Sequence, residues 1–230
     1  MIHADLLRLR HAAAARQPVA YAVRLANGAA FVLPDPAAPA GLAQAAATAL
    51  AADRTGIVEI DGESWFIEAR NPAPRLVVVG AVHIAQALAP LAVAAGFDVT
   101  VIDPRTGFAA PERFPGVRID TAWPDEALAA LQPDARTAIV TLTHDPKLDD
   151  PALISALHSA AFYIGALGST RTHARRLERL RDAGFDDAAC ARIAAPVGLD
   201  IGARTAPEIA ISVIAEVIGA RRGKRRERST

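Results

Sequence analysis

The segment Arg75-Leu-Val-Val-Val-Gly80-Ala-Val-His83, followed by Val99-Thr-Val-Ile-Asp103-Pro-Arg105, constrains the fold most sharply. An apolar, β-branched run ends in Gly80, a helical pattern follows, and a second such run ends in Asp103. That order reads as strand, tight turn, helix and parallel strand. It sets the N–H-rich start of a helix beside an acid that can reach a ribose. The alternation then repeats. Strands are expected at 75–80, 97–102, 116–120, 137–142, 161–165 and 192–195, and helices at 82–95, 124–131, 151–159, 171–183 and 207–221. Such a pattern gives an α/β fold with a Rossmann-like, doubly wound parallel sheet, whose ligands sit at the carboxyl ends of the strands.

The first 72 residues read differently, as a small α+β module. A helix is expected over Ile2 to Arg16, and strands over 19–25 and 29–33 around Asn27-Gly28. An Ala-rich helix follows over 41–52, then two strands around Asp61-Gly62. Asn-Gly and Asp-Gly are strong hairpin turns. Asn71-Pro-Ala-Pro74 is a stiff linker, because each proline fixes its own φ and restricts its predecessor. The expected domains are therefore 1–72 and 73–230.

About half the residues are apolar, enough for a packed core. No apolar run is long enough to span a bilayer. Asp5 near the start argues against an export signal, and the single cysteine, Cys190, precludes an internal disulfide, so a cytoplasmic location is expected. Of 25 basic and 25 acidic side chains, six and one lie in the last ten residues, leaving 19 against 24 elsewhere. This basic tail reads as a solvated end or as a contact for an acidic partner. It has no interleaved aromatics, and no nucleic-acid or membrane partner is expected.

Five segments can hold a ligand. Gly80 and His83 lie at the first strand-to-helix turn, where the dinucleotide fingerprint G-x-G-x-x-G has Val82 and Ala85 at its second and third glycine positions. A valine there crowds a pyrophosphate, so an NAD(P) site is only weakly indicated. Asp103 and Arg105 are placed for a ribose and a phosphate. His144 and Asp145 end the 137–142 strand, but no third residue at ligand spacing accompanies them, so no metal site is expected. Asp150 before Pro151 reads as an N-cap with proline at N1. Gly165, Gly168, Ser169 and Arg171 form a glycine- and hydroxyl-rich turn before a helix that also carries Arg175 and Arg176: an anion nest, or else a tight turn and a basic exposed face. Gly198, Asp200, Gly202 and Arg204 make a polar loop ahead of a capping box at Thr205 and Glu208. No catalytic residue is expected: Ser169 lacks a nucleophile-elbow context and Cys190 reads as a buried thiol.

Together, Gly80-x-x-His83-Ile-Ala85, Val101-Ile-Asp-Pro-Arg105, Thr143-His-Asp-Pro-Lys-Leu-Asp149, Tyr163-Ile-Gly-Ala-Leu-Gly-Ser169 and Pro196-Val-Gly-Leu-Asp-Ile-Gly202 resemble the xanthine dehydrogenase accessory factor family of the XdhC/CoxI type, across about residues 75–219. The resemblance implies a non-catalytic protein that binds a molybdenum cofactor of the molybdopterin type and shields it during sulfuration. It also implies delivery to an apo molybdenum hydroxylase (xanthine, aldehyde or carbon monoxide dehydrogenase), with a cysteine desulfurase as a second candidate partner. Three departures stand out: Val82 replaces a family glycine, Ala194 stands near a family histidine, and the first 70 residues hold no cysteine where longer members have a cysteine-rich segment. Glycine turns and arginines would take phosphate, while His83, His144 and the acids would orient polar rings. His83, Asp103 and Arg171 are expected in one crevice. The alternatives are an NAD(P)-dependent oxidoreductase, and a scaffold in which Val213-Ile-Ala-Glu-Val-Ile218 pairs two copies as a homodimer.

Overall fold

The computed structural model describes residues 3–224. They divide into two compact units, up to Pro72 and from Ala73. Ile2 and residues 225–230 of the basic tail lie outside the described residues.

The first unit runs α1 (His3–Ala14), β1 (Val19–Arg24), β2 (Ala30–Leu33), α2 (Ala40–Ala52), β3 (Gly56–Ile60) and β4 (Glu63–Arg70). Its antiparallel sheet has the order β2-β1-β4-β3. Successive side chains of a strand face opposite ways, so Ala20 and Ala22 of β1 pack with Leu42 and Ala46 of α2, while Val19 and Tyr21 pack with Leu9 and Ala12 of α1. Asp61 and Gly62 both take positive φ, 52° and 78°, which makes a two-residue hairpin with Ile60 opposite Glu63. Asn27-Gly28 lies in a wider connection, where the Asn27 side-chain oxygen accepts from the Ala29 N–H.

The second unit runs β5 (Arg75–Val79), α3 (His83–Ala94), β6 (Asp98–Ile102), β7 (Arg118–Asp120), α4 (Pro124–Leu131), β8 (Thr137–Thr141), α5 (Pro146–His158), β9 (Tyr163–Ala166), α6 (Thr170–Asp182), α7 (Asp187–Cys190), β10 (Ile193–Ala194) and α8 (Ala206–Arg221). Every pairing in its sheet is parallel, in the order β10-β9-β8-β5-β6-β7. β5 and β8 are neighbours at the point where the winding reverses, the place where such sheets bind ligands. Leu76 and Val78 of β5 face one apolar layer with α3 and α8; Val77 and Val79 face the other with α4 and α5. No described helix is long and apolar enough to cross a membrane.

The start of α5 corrects one expectation. The helix begins at Pro146, and its N-cap is Asp145, which accepts from the Lys147 N–H at 3.0 Å. Asp150 is not the cap, and Pro151 lies inside the helix. Both Asp-Pro pairs look alike locally. The earlier start wins because Leu148, Ala152, Leu153 and Ala156 bury one continuous face.

Gly165 is likewise a packing residue. A Cβ there would meet Val197 Cγ2 at 2.5 Å and the Tyr163 ring at 2.8 Å. The ring cannot swing aside, because the Tyr163 hydroxyl donates to the buried Glu216 carboxylate at 2.6 Å. Gly165→Ala is therefore expected to cost about 1–3 kcal/mol in urea unfolding. An unchanged midpoint and slope would contradict this packing account.

Candidate functional site

At the carboxyl ends of the strands, Gly80, His83, Asp103, Arg105, His144, Gly168, Ser169, Arg171, Asp200 and Gly202 lie on the loops or helix starts after β5, β6, β8, β9 and β10, while Gly165 lies in β9 itself. At the centre, Gly80 takes φ 108°, and a Cβ there would lie 2.5 Å from Thr143 Cγ2. Its backbone can therefore touch the β8–α5 turn, which no side chain would permit. Val82 caps α3 without a side-chain bond, and His83 opens the helix with its side chain exposed.

Asp103 corrects an expectation. It has no exposed surface. Its Oδ2 accepts from the Ala81 N–H at 2.8 Å and from Arg105 Nη2 at 2.7 Å. Its Oδ1 accepts from the Arg105 N–H at 3.0 Å and from Arg105 Nε at 2.8 Å. No acceptor is left for a ribose, and the N–H beside the start of α3 is taken by the protein's own carboxylate. Arg105 is similarly committed: it clamps Asp103 and lies over the Phe108 ring, 4.4 Å from its centroid. Burial pushes the Asp103 carboxyl up, but the Arg105 hydrogen bonds and the Ala81 N–H outweigh it and hold it below the usual carboxylate range.

The next sheet edge is open. A cavity of about 440 Å³ is lined by His144, Pro146 and Asp149 from the β8–α5 side and by Arg171, Thr172, Arg175, Arg176 and Arg179 from α6. His144 sits at φ 64°, a left-handed conformation that is uncommon for a non-glycine residue. Thr143 brackets that turn: its hydroxyl accepts from the Asp145 N–H at 3.0 Å and donates to Asp149 Oδ1 at 2.7 Å. Across the cavity, Ser169 caps α6 by accepting from the Thr172 N–H, and Gly168 precedes it at φ 130°. So His144 and Arg171 meet in one cavity, while His83 and Asp103 do not line it; the single crevice expected from those two and Arg171 is not formed. Asp200 and Gly202 are exposed on the β10–α8 loop.

Sequence reasoning missed Asp149 and Arg179, and it left Arg175 and Arg176 open between an anion nest and a solvated helix face. Arg176 is only 2% exposed. Its Nη2 donates to the Leu167 carbonyl at 2.9 Å and lies 3.6 Å from Asp149 Oδ2, while its Nε and Nη1 are buried without a hydrogen-bond partner. Burial pushes the Asp149 carboxyl above its usual range, against the Thr143 hydroxyl and Arg176. Burial also lowers Arg176, which nonetheless stays cationic. Arg179 is paired with Asp150, Nη2 to Oδ1 at 2.9 Å. The clue in the sequence was the spacing: Arg176 shares a helix face with the buried Leu180, four residues on. Among the described residues, no group of three or more His, Cys, Asp or Glu side chains is placed to hold a metal ion.

Order of strands, close glycine turns and the helices on both faces of the parallel sheet define a Rossmann-type domain. The model of the XdhC Rossmann domain matches residues 76–217, and the chain belongs to that family. It is 38% identical over 151 residues to the Escherichia coli (strain K12) protein named molybdenum cofactor insertion chaperone PaoD, covering 66% of this chain and 41% of that one. It is 35% identical over 160 residues to a Bacillus subtilis (strain 168) protein named as a probable subunit of xanthine dehydrogenase, covering 69% and 46%. The chain thus spans less than half the length of these curated relatives. A crystal structure described as a xanthine dehydrogenase from Bacillus halodurans shares the fold, with a TM-score of 0.72 at 23% identity over 97% of this chain and 66% of that one.

The Asp103 clamp has a direct consequence. Asp103→Asn should lower stability by roughly 2–4 kcal/mol, less than for a fully buried pair because Arg105 is partly exposed. A lowered folded-state pKa contributes stability above the usual carboxylate range, and that contribution is lost as pH falls through the lowered value. The variant should therefore lose less stability than wild type on acidification. Parallel acid limbs in urea titrations would contradict the clamp.

Proposed function

We propose that this protein is an accessory factor that binds a molybdopterin-type cofactor at the carboxyl edge of its parallel sheet. In this reading it assists sulfuration or insertion of that cofactor into an apo molybdenum hydroxylase, with a cysteine desulfurase as a second partner in the cytoplasm. Membership of the XdhC Rossmann family supports the reading, as does likeness to a protein named an insertion chaperone. The observation that carries it is the meeting of His144 and Arg171 in one cation-lined cavity. Arg176, a buried cation that lines the cavity, fits an anionic organic cargo there.

The cargo brings the molybdenum chemistry; the protein's part is to bind, orient and release. Arginines of α6 hold its anionic end. His144 offers ring nitrogens to polar ring edges in the cavity, and His83, exposed outside it at the start of α3, offers its own to a part of the cargo that reaches along the sheet edge. Gly80, Gly168, Ser169, Asp200 and Gly202 supply the surrounding turns, and Asp103 with Arg105 keeps the edge rigid. Gly165 contributes through its packing against Val197.

Wild-type protein is expected to retain the cofactor and, once loaded, to activate an apo hydroxylase. Arg171→Ala and His144→Ala should each weaken retention by about tenfold, the loss of one hydrogen bond to a charged group. Failure of the wild type to retain the cofactor, or equal retention by all three proteins, would overturn the reading.

A further inference from the structure

We propose that the cavity between α5 and α6 is a dianion site that takes a terminal phosphate monoester, with Arg176 as its buried anchor. The identity of the organic ligand rests on the function proposed above; the anion chemistry rests on the cavity alone.

Three observations carry it. The first is Arg176. A buried guanidinium with Nε and Nη1 unpartnered forfeits hydrogen bonds that water would have supplied. Asp149, 3.6 Å from Nη2, answers only one edge of it. Arg176 lines the cavity, so a tetrahedral oxyanion there stands against a guanidinium whose charge only Asp149 answers, and the planar fork of an arginine matches its oxygens.

The second is the placement of charge along α6. Helix starts favour anions, yet the first turn of α6 holds no acid, and Arg171 and Arg175 stand in its first two turns. They are four residues apart, so they repel along one face. Neither side chain makes an ion pair or a hydrogen bond among the described residues. This arrangement opposes local stability and is relieved when an anion enters.

The third is the balance of charge. Four arginines line the cavity, and Asp149 lines it with them; Asp150 pairs with Arg179 at its edge. Two positive charges remain uncompensated. A phosphate monoester carries close to two negative charges at neutral pH and a phosphodiester one, so the cavity favours the monoester. A cofactor whose phosphate is free would then be preferred over one whose phosphate is bridged to a nucleotide.

The test is a titration of the full chain at low ionic strength with inorganic phosphate, methyl phosphate and dimethyl phosphate, followed by calorimetry. Phosphate and methyl phosphate should bind, and dimethyl phosphate at least about tenfold more weakly. Arg176→Gln should lose about tenfold or more in phosphate affinity. Arg175→Ala, an exposed change that leaves the core intact, should lose several-fold, which keeps the test decisive if the Arg176 variant does not fold. Arg118→Ala, which removes an equal charge on β7, should bind as wild type does. Phosphate binding without cofactor binding would leave this site standing and remove the proposed ligand. Cofactor binding with no phosphate binding, and no response to Arg175→Ala, would overturn this site and leave the proposed function. Equal affinity for monoester and diester would overturn the dianion assignment.

Discussion

A carboxylate with no exposed surface holds the ligand edge of the second unit together. Asp103 binds the β5–α3 turn through the Ala81 N–H and the β6 loop through three donors of Arg105. Because all its acceptors are spent inside the protein, the turn after β5 is fixed rather than waiting for a ligand. Gly80 then brings that turn against Thr143, whose hydroxyl in turn orders Asp145 and Asp149. A single chain of contacts therefore runs from β6, across the sheet centre, to the mouth of the basic cavity. Sites held by such supports are pre-formed, which lowers the ordering cost of binding.

The same clamp bears on where along the sheet the proposed anion site lies. In a conventional dinucleotide fold the first strand-to-helix turn takes the phosphates. Here Asp103 already occupies the N–H beside α3, and Val82 stands where a glycine would let a phosphate approach. The positive charge that makes no ion pair among the described residues lies instead at the start of α6, on Arg171 and Arg175, beside the Arg176–Asp149 pair. Local rules oppose that clustering, and sequences break local rules mainly where function demands it.

What was legible in the sequence was what neighbouring residues decide. Alternating apolar runs gave the order of strands and helices, Asp61-Gly62 its two-residue turn, and Thr205 with Glu208 the capping box at α8. Two failures were of another kind. Asp145-Pro146 and Asp150-Pro151 are equivalent as local cap sequences, and only burial of Leu148 and Ala152 chooses between them. Arg176 reads as one more cation on a basic helix; its burial depends on the Leu167 carbonyl and Asp149, which the fold brings to it from other elements. Asp103 was visible as an acid at a strand end, but its acceptors proved to be filled by a residue two positions on.

The central claim is that the carboxyl edge, with its cavity between α5 and α6, receives the cargo. Hydrogen–deuterium exchange of the full chain, with and without a molybdopterin-type cofactor, addresses it most directly. The expected result is new protection confined to the β8–α5 turn around 142–147 and to 167–176 at the start of α6, with the β5–α3 turn little changed because the clamp already holds it. Protection confined to residues 3–72, or to α3 and α8 on the opposite layer, would contradict the account.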